Sequence, residues 1–292
     1  IGIEERKENN KTVIVRKAVE RRDEASLLEN TINQLDAEDC LRHINGRLYG
    51  NDYEERLFNV AMELCITWMN RILFLKLLEA QMLKYHNGDA IYKFLSITKI
   101  HDYDDLNTLF FQVLARDMGS RTHSIMRDFA YVPYLNSSLF EVTDLESKTI
   151  KINSLSQRTV LPVLASSVLR NKKRNLQVNA LPTLQYLFAF LDAYNFASEG
   201  SEEVQEEAKT LINASVLGLI FEKINGHKDG SVFTPGFITM FMCREAITKT
   251  VLQKFNGYYG WNCTTRIELY NHIDNIVEAN ELINSLRLCD PA

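Results

Sequence analysis

Three short stretches of the 292-residue chain carry residue types whose spacing suits an anionic or nucleotide-like ligand. In Phe233-Thr234-Pro235 a threonine stands where a helix N-cap belongs and a proline at the first helical position. Such a start offers a hydroxyl and unsatisfied backbone N–H groups to a carboxylate or phosphate, although the same pair also opens ordinary helices. Asp290-Pro291-Ala292 follows an apolar run. A strand ending in an acidic residue and a small-residue turn is how a doubly wound α/β fold receives a nucleotide-like cofactor, because backbone must approach the ligand closely there. Glu222 precedes a glycine turn, Gly226 to Gly230, and either faces a ligand or pairs locally with Lys223. Arg170, Lys172, Lys173 and Arg174 form a basic run. That run is either a solvated loop or a DNA phosphate contact, since Lys and Arg neutralise the backbone without reading sequence. Tyr131, Tyr134, Tyr186, Phe188 and Phe190 are able to stack on bases, but at helical or loop spacing such aromatics more often belong to a core. The six histidines are scattered, so no metal is assigned.

The elements that must position these residues are mostly helices. Glycine (12) and proline (5) are scarce, which favours long helices over many short strands. From 51 to 87 there is neither, and Leu57, Val60, Ala61, Leu64, Trp68, Ile72 and Leu75 recur at helical spacing. One or two long helices are expected there, about 55 Å if continuous. Further helices are expected over Leu27 to Leu35, Asp104 to Arg116, Thr183 to Tyr194, Ser201 to Lys223 and Pro235 to Phe255. Thr12 to Val15 has β character, Thr149 to Val160 alternates as a short strand or hairpin, and Asn284 onward suggests a buried strand running into a turn. The fold class is mainly α: a helical connector or bundle with a small β-hairpin insertion, ending at the first strand of an α/β domain. The expected divisions are a charged linker or tail over 1–50, a helical connector over 51–223 and the start of a further domain over 224–292.

A composition of 46% hydrophobic and 24% charged residues excludes a disordered tail or a fibre, and no apolar run is long enough to span a membrane. The five cysteines show no paired spacing, which speaks against a disulfide framework and for free thiols in a reducing cytoplasm. The formal charge of −5 argues against a uniformly basic nucleic-acid binder, yet the charge is segregated: residues 147–191 hold seven Lys/Arg and no Asp or Glu, so the remainder carries −12.

Taken in order, Leu217-Gly218-Leu219-Ile220-Phe221-Glu222, the glycine turn, Phe233-Thr234-Pro235 and Asp290-Pro291-Ala292 resemble the opening motifs of adenine-specific DNA methyltransferases. In that family L-G-x-x-[FY]-E precedes G-x-[FY]-[FY]-T-P and later D-P-A-x-G-[ST]-G. Upstream, Asn70 to Glu79, Val132 to Glu141 and Leu184 to Leu191 are similar to stretches of the type IIG restriction-modification enzymes, which fuse nuclease, helical connector and methyltransferase. The resemblance covers residues 55 to 292. It implies S-adenosylmethionine as cofactor, held by Glu222, Phe233, Thr234, Pro235, Asp290, Pro291 and Ala292. It also implies double-stranded DNA as partner, methyl transfer to a flipped-out adenine, and Mg2+ in an endonuclease part lying before Ile1. The x-G-x-G turn that completes the cofactor motif would fall after Ala292, and no [ND]-P-P-[YF] tetrapeptide or P-D…[DE]-x-K arrangement occurs. These residues alone are therefore expected to act as a spacer with DNA-backbone contacts rather than as a catalyst. Two alternatives stay open: a modification subunit or phage-defence methyltransferase without a nuclease, and a non-catalytic helical interaction protein.

Overall fold

The computed structural model describes residues 2–8, 11–135, 137–155, 160–169, 179–196, 211–212, 216, 218, 220 and 236–287. Among the described residues the chain is mainly α, and its strands pair only in two-stranded sheets. It divides into two compact units, Ile1–Ser231 and Val232–Ala292.

The first unit opens with an antiparallel hairpin, β1 (Ile3–Glu8) and β2 (Lys11–Arg16), in which Ile3 pairs with Arg16 and Glu5 with Ile14. Helix α1 (Leu27–Ala37) follows, its first turn capped by Ser26, whose hydroxyl accepts from Glu29 N. Arg16 ties hairpin to helix through Glu29 at 2.6 Å. Leu28, Ile32 and Leu35 of α1 are buried in the same core as the next helix. Residues 1–50 are thus not a peripheral linker, and the boundary expected after residue 50 is not a division between units. Charge at the surface of this stretch hid an apolar face that packs inward.

That next helix, α2 (Tyr53–Tyr85), runs 33 residues without interruption, about 50 Å. Asp52 caps its start by accepting from Glu55 N at 2.8 Å, and Glu54 and Glu55 in the first turn complement the helix dipole. Leu57, Val60, Ala61, Leu64, Trp68, Ile72 and Leu75 are all buried, each large apolar side chain contributing roughly 1.5–3 kcal/mol. Past His86 the backbone turns left-handed at Asn87 (φ 52°) and Gly88 (φ 81°), and Gly88 N–H donates to Leu83 O at 2.7 Å.

Around α2 lie short elements. Helix α3 (Tyr103–Thr108) runs into a π-helical turn, Leu109–Leu114, so the helix expected over 104–116 changes its hydrogen-bond spacing midway. Helices α4 (His123–Phe129) and α5 (Asp144–Lys148) follow. The strand expected over 149–160 is replaced at its centre by a 3-10 turn, Ile152–Ser154, because Asn153 is turned inward to accept from Trp68 Nε1 at 2.7 Å. A hairpin does form, but further on: β3 (Val160–Pro162) pairs antiparallel with β4 (Ala180–Pro182), and the basic run falls in the sequence between them. Helix α6 (Thr183–Asp192) then packs Leu184, Phe188 and Leu191 into the core. Within the helix expected over 201–223, Leu211–Ile212 form a strand, β6, paired parallel with β5 (Asn195–Phe196).

The second unit holds α7 (Gly236–Tyr259), α8 (Arg266–His272) and α9 (Ile276–Asn284) around a small core of Phe255, Cys263, Leu269 and Ala279. Helix α8 carries a capping box between Thr265 and Glu268. The strand expected from Asn284 is corrected at its start: Asn284 ends α9 and Ser285 is the C-cap. Among the described residues no helix is long and apolar enough to cross a membrane.

Candidate functional site

The residues expected at a cofactor site, Glu222, Phe233, Thr234, Pro235, Asp290, Pro291 and Ala292, lie outside the described residues, as do Arg170, Lys172, Lys173 and Arg174. Helix α7 begins at Gly236, the residue after Pro235. Of the aromatic candidates, Phe188 is core, Tyr131 is half-buried under Lys99 with Nζ 4.6 Å from the ring centroid, and the Tyr186 hydroxyl accepts from Leu164 N at 3.3 Å. Tyr134 (39%) and Phe190 (38%) keep the most exposure. Among the described residues no group of three His, Cys, Asp or Glu side chains is arranged to hold a metal ion.

What the structure does bring together is a set of buried charges on α2. Arg71 is 1% exposed, and its guanidinium donates from Nη1 to Glu146 Oε1 (2.5 Å), from Nη2 to Glu146 Oε2 (2.8 Å) and Glu141 O (2.7 Å), and from Nε to Leu139 O (2.6 Å). The rings of Phe110 and Phe111 flank it, with centroids 5.8 and 5.3 Å from Cζ. Glu146 also accepts from Thr143 N at 2.9 Å, closing the capping box of α5. Burial alone would raise the Glu146 carboxyl, but the bonds from Arg71 and Thr143 outweigh it and hold it below the ordinary carboxylate range.

One turn further along α2, Lys76 donates to Glu79 Oε1 (2.5 Å) and to Asp192 Oδ1 (2.6 Å) at the end of α6. Lys93 pairs with the other oxygen of Asp192 at 2.8 Å, and Leu95 N–H donates to Glu79 Oε2 at 2.6 Å. Burial would lower the Lys76 ammonium, but Glu79 and Asp192 overcome it and raise it. Burial raises Glu79 against the pull of Lys76, whereas Asp192, opposed by partial burial, is lowered by Lys76 and Lys93. These groups are engaged by one another or by backbone, so the arrangement fixes geometry rather than moving protons. The three upstream stretches thereby meet: Asn70 to Glu79 supplies Arg71, Lys76 and Glu79, Val132 to Glu141 supplies the carbonyls of Leu139 and Glu141, and Leu184 to Leu191 leads into Asp192. Sequence reasoning assigned none of these charged residues a role. The one signal present was three charges, Arg71, Lys76 and Glu79, set at helical spacing within the apolar stripe.

Two expected outcomes follow from these environments. Glu146 and Asp192 titrate below their unfolded values, so the stability they contribute is fully present above about pH 5 and is lost as pH falls through the depressed folded values. Urea denaturation repeated from about pH 7 down to pH 3 should show that loss, and Glu146→Gln should flatten it. Cys65 is fully buried and its thiol is pushed up to about 12, so it stays unreactive at neutral pH, whereas Cys243 is exposed. Mass spectrometry after brief iodoacetamide treatment should find Cys243 modified and Cys65 modified only once the chain is unfolded.

The fold and this hub define a helical domain organised about one long, charge-stapled helix. Residues 1–212 match the family model described as Domain of unknown function (DUF7814), and the chain belongs to that family. No curated protein and no solved structure matches it.

Proposed function

We propose that the chain is part of a DNA restriction-modification enzyme that methylates adenine in duplex DNA with S-adenosylmethionine, and that its first unit is the helical connector. The observation that carries the reading is the convergence of the three upstream stretches, joined by Arg71 to Leu139 and Glu141 and by Lys76 to Asp192. Stretches that resemble one family in order along the chain and also contact one another in space support a common origin better than separate chance matches do. S-adenosylmethionine would supply the methyl group. The chain's contribution on this reading is to hold the domains at a set spacing and, through Arg170, Lys172, Lys173 and Arg174, to contact the DNA backbone. Endonuclease activity with Mg2+, and a cytoplasmic location beside its DNA, belong to the same reading.

The test is transfer of a tritiated methyl group from S-adenosylmethionine to unmethylated duplex DNA by the whole gene product. Label at adenine N6 supports the reading, and an S-adenosylmethionine-independent protein with no label in DNA overturns it. For the connector, replacing Arg170, Lys172, Lys173 and Arg174 together by Ala should weaken DNA binding. The slope of log affinity against log salt should become shallower by about 0.9 for each phosphate no longer neutralised, and an unchanged slope removes the backbone-binding role.

A non-catalytic helical scaffold is the second reading. What favours it is that the family match ends at 212, before the methyltransferase-like stretches begin.

A further inference from the structure

We propose that the groove between the end of α1 and the start of α2 is a phosphate-binding site. It is open and polar, and it is lined by Asp39, Arg42, Asn45, Arg47, Tyr53 and Arg56 among others. Three arginines and one aspartate therefore line a single concavity. Arg42 pairs with Asp39 through Nε, leaving the rest of its guanidinium in solvent, for the side chain is 79% exposed. Arg56 donates from Nε to Gly50 O (3.0 Å) and from Nη2 to Asn51 O (3.0 Å), which fixes its plane and leaves Nη1 uncommitted to either carbonyl. Arg47 is exposed and pairs with no carboxylate among the described residues.

The neighbouring acids are turned to other donors. Asp36 accepts from the Tyr53 hydroxyl at 2.7 Å, Asp52 caps α2 through Glu55 N at 2.8 Å, and Glu55 accepts from Asn51 N at 2.7 Å. Glu38 takes the amide of Gln34. At Gly46 a Cβ would stand 3.2 Å from Arg56 Cδ, so a larger residue there would press on the arginine. Planar guanidiniums with spare N–H groups match phosphate oxygens in fork geometry, which a single ammonium does not. An open polar trough suits a phosphate on an extended chain better than an enclosed small molecule, which is held mainly by apolar walls. The groove stands on residues 39–56 and does not depend on the methyltransferase reading.

The ligand chemistry is a phosphate group, whether carried by a polynucleotide backbone or free. The experiment compares the 292-residue chain with Arg42→Gln plus Arg47→Gln, both exposed and outside the core, so that the fold is retained. Fluorescence anisotropy follows a labelled duplex of about 20 base pairs over a salt series, and calorimetry follows inorganic phosphate and pyrophosphate. Loss of DNA affinity with a salt slope smaller by about 1 to 2 assigns the groove to the polynucleotide backbone. Phosphate or pyrophosphate bound by the parent chain and lost in the variant, with DNA binding unchanged, assigns it to a free phosphate. Arg47→Lys should keep the charge yet lose part of the affinity, because the fork is gone. Equal binding of all three ligands by parent and double variant, or binding of none by the parent, overturns the proposal.

Discussion

Arg71→Met should cost the first unit about 3–5 kcal/mol and lower its thermal midpoint by roughly 10 °C. Arg71 is 1% exposed, and removing it strands the Glu146 carboxylate in the core together with the Leu139 and Glu141 carbonyls. A buried charge that loses its partner carries its full desolvation cost, which exceeds the net worth of the intact pair. The double variant Arg71→Met, Glu146→Leu should therefore lose less than the sum of the two single changes. Differential scanning calorimetry decides it: additive losses would mean that the two side chains do not act as a pair.

Lys76→Met should cost a similar amount, about 3–5 kcal/mol at neutral pH, but with a pH signature of its own. Lys93 continues to hold Asp192, so the group left exposed to the penalty is Glu79, which retains the N–H of Leu95. Burial already raises Glu79, and without Lys76 the strongest opposition to that shift is gone. A carboxyl raised in the folded state carries no penalty below its unfolded value, and the penalty grows as pH rises from there through its folded value. The gap between Lys76→Met and the parent should accordingly narrow in acid and widen toward neutrality, as read from urea midpoints across that range. A gap independent of pH would mean that Glu79 does not stay behind as an unpaired carboxylate.

Much of the architecture is legible in the residues, and the exceptions have physical causes. Helix α2 is visible because a run without Gly or Pro keeps one apolar stripe, and its length shows that no break is required. The strand at Thr12 to Val15 and helix α6 are likewise visible in their apolar period, although the N-cap of α6 is Pro182 without a side-chain cap and the Thr183 hydroxyl donates to Ala25 O instead. Alternation over Thr149 to Val160 misleads because Ile152 and Asn153 are both buried, the second through a hydrogen bond to Trp68 that no periodicity encodes. A π-helical turn and two-residue strands such as Leu211–Ile212 are too short or too close to α spacing to leave a pattern. Residues 1–50 read as peripheral from their charge, while Leu28, Ile32 and Leu35 take them into the core.

The hub on α2 was half-visible. Arg71, Lys76 and Glu79 interrupt an apolar stripe, which marks them as paired, but their partners Glu146 and Asp192 are distant in sequence and only tertiary structure supplies them. The phosphate groove had no signature, since Arg42, Arg47 and Arg56 are irregularly spaced and line one concavity only through the path of the 3-10 turns at Cys40–His43 and Gly46–Leu48 and the start of α2.

That this connector serves an adenine methyltransferase is tested most directly by reading the source gene on both sides of residues 1–292. Expected are an x-Gly-x-Gly turn directly after Ala292 and an Asn-Pro-Pro-Tyr tetrapeptide downstream, with a metal-ligand cluster before Ile1 if restriction is also present. A stop codon directly after the codon for Ala292 would contradict the methyltransferase reading and leave a helical module with no cofactor site.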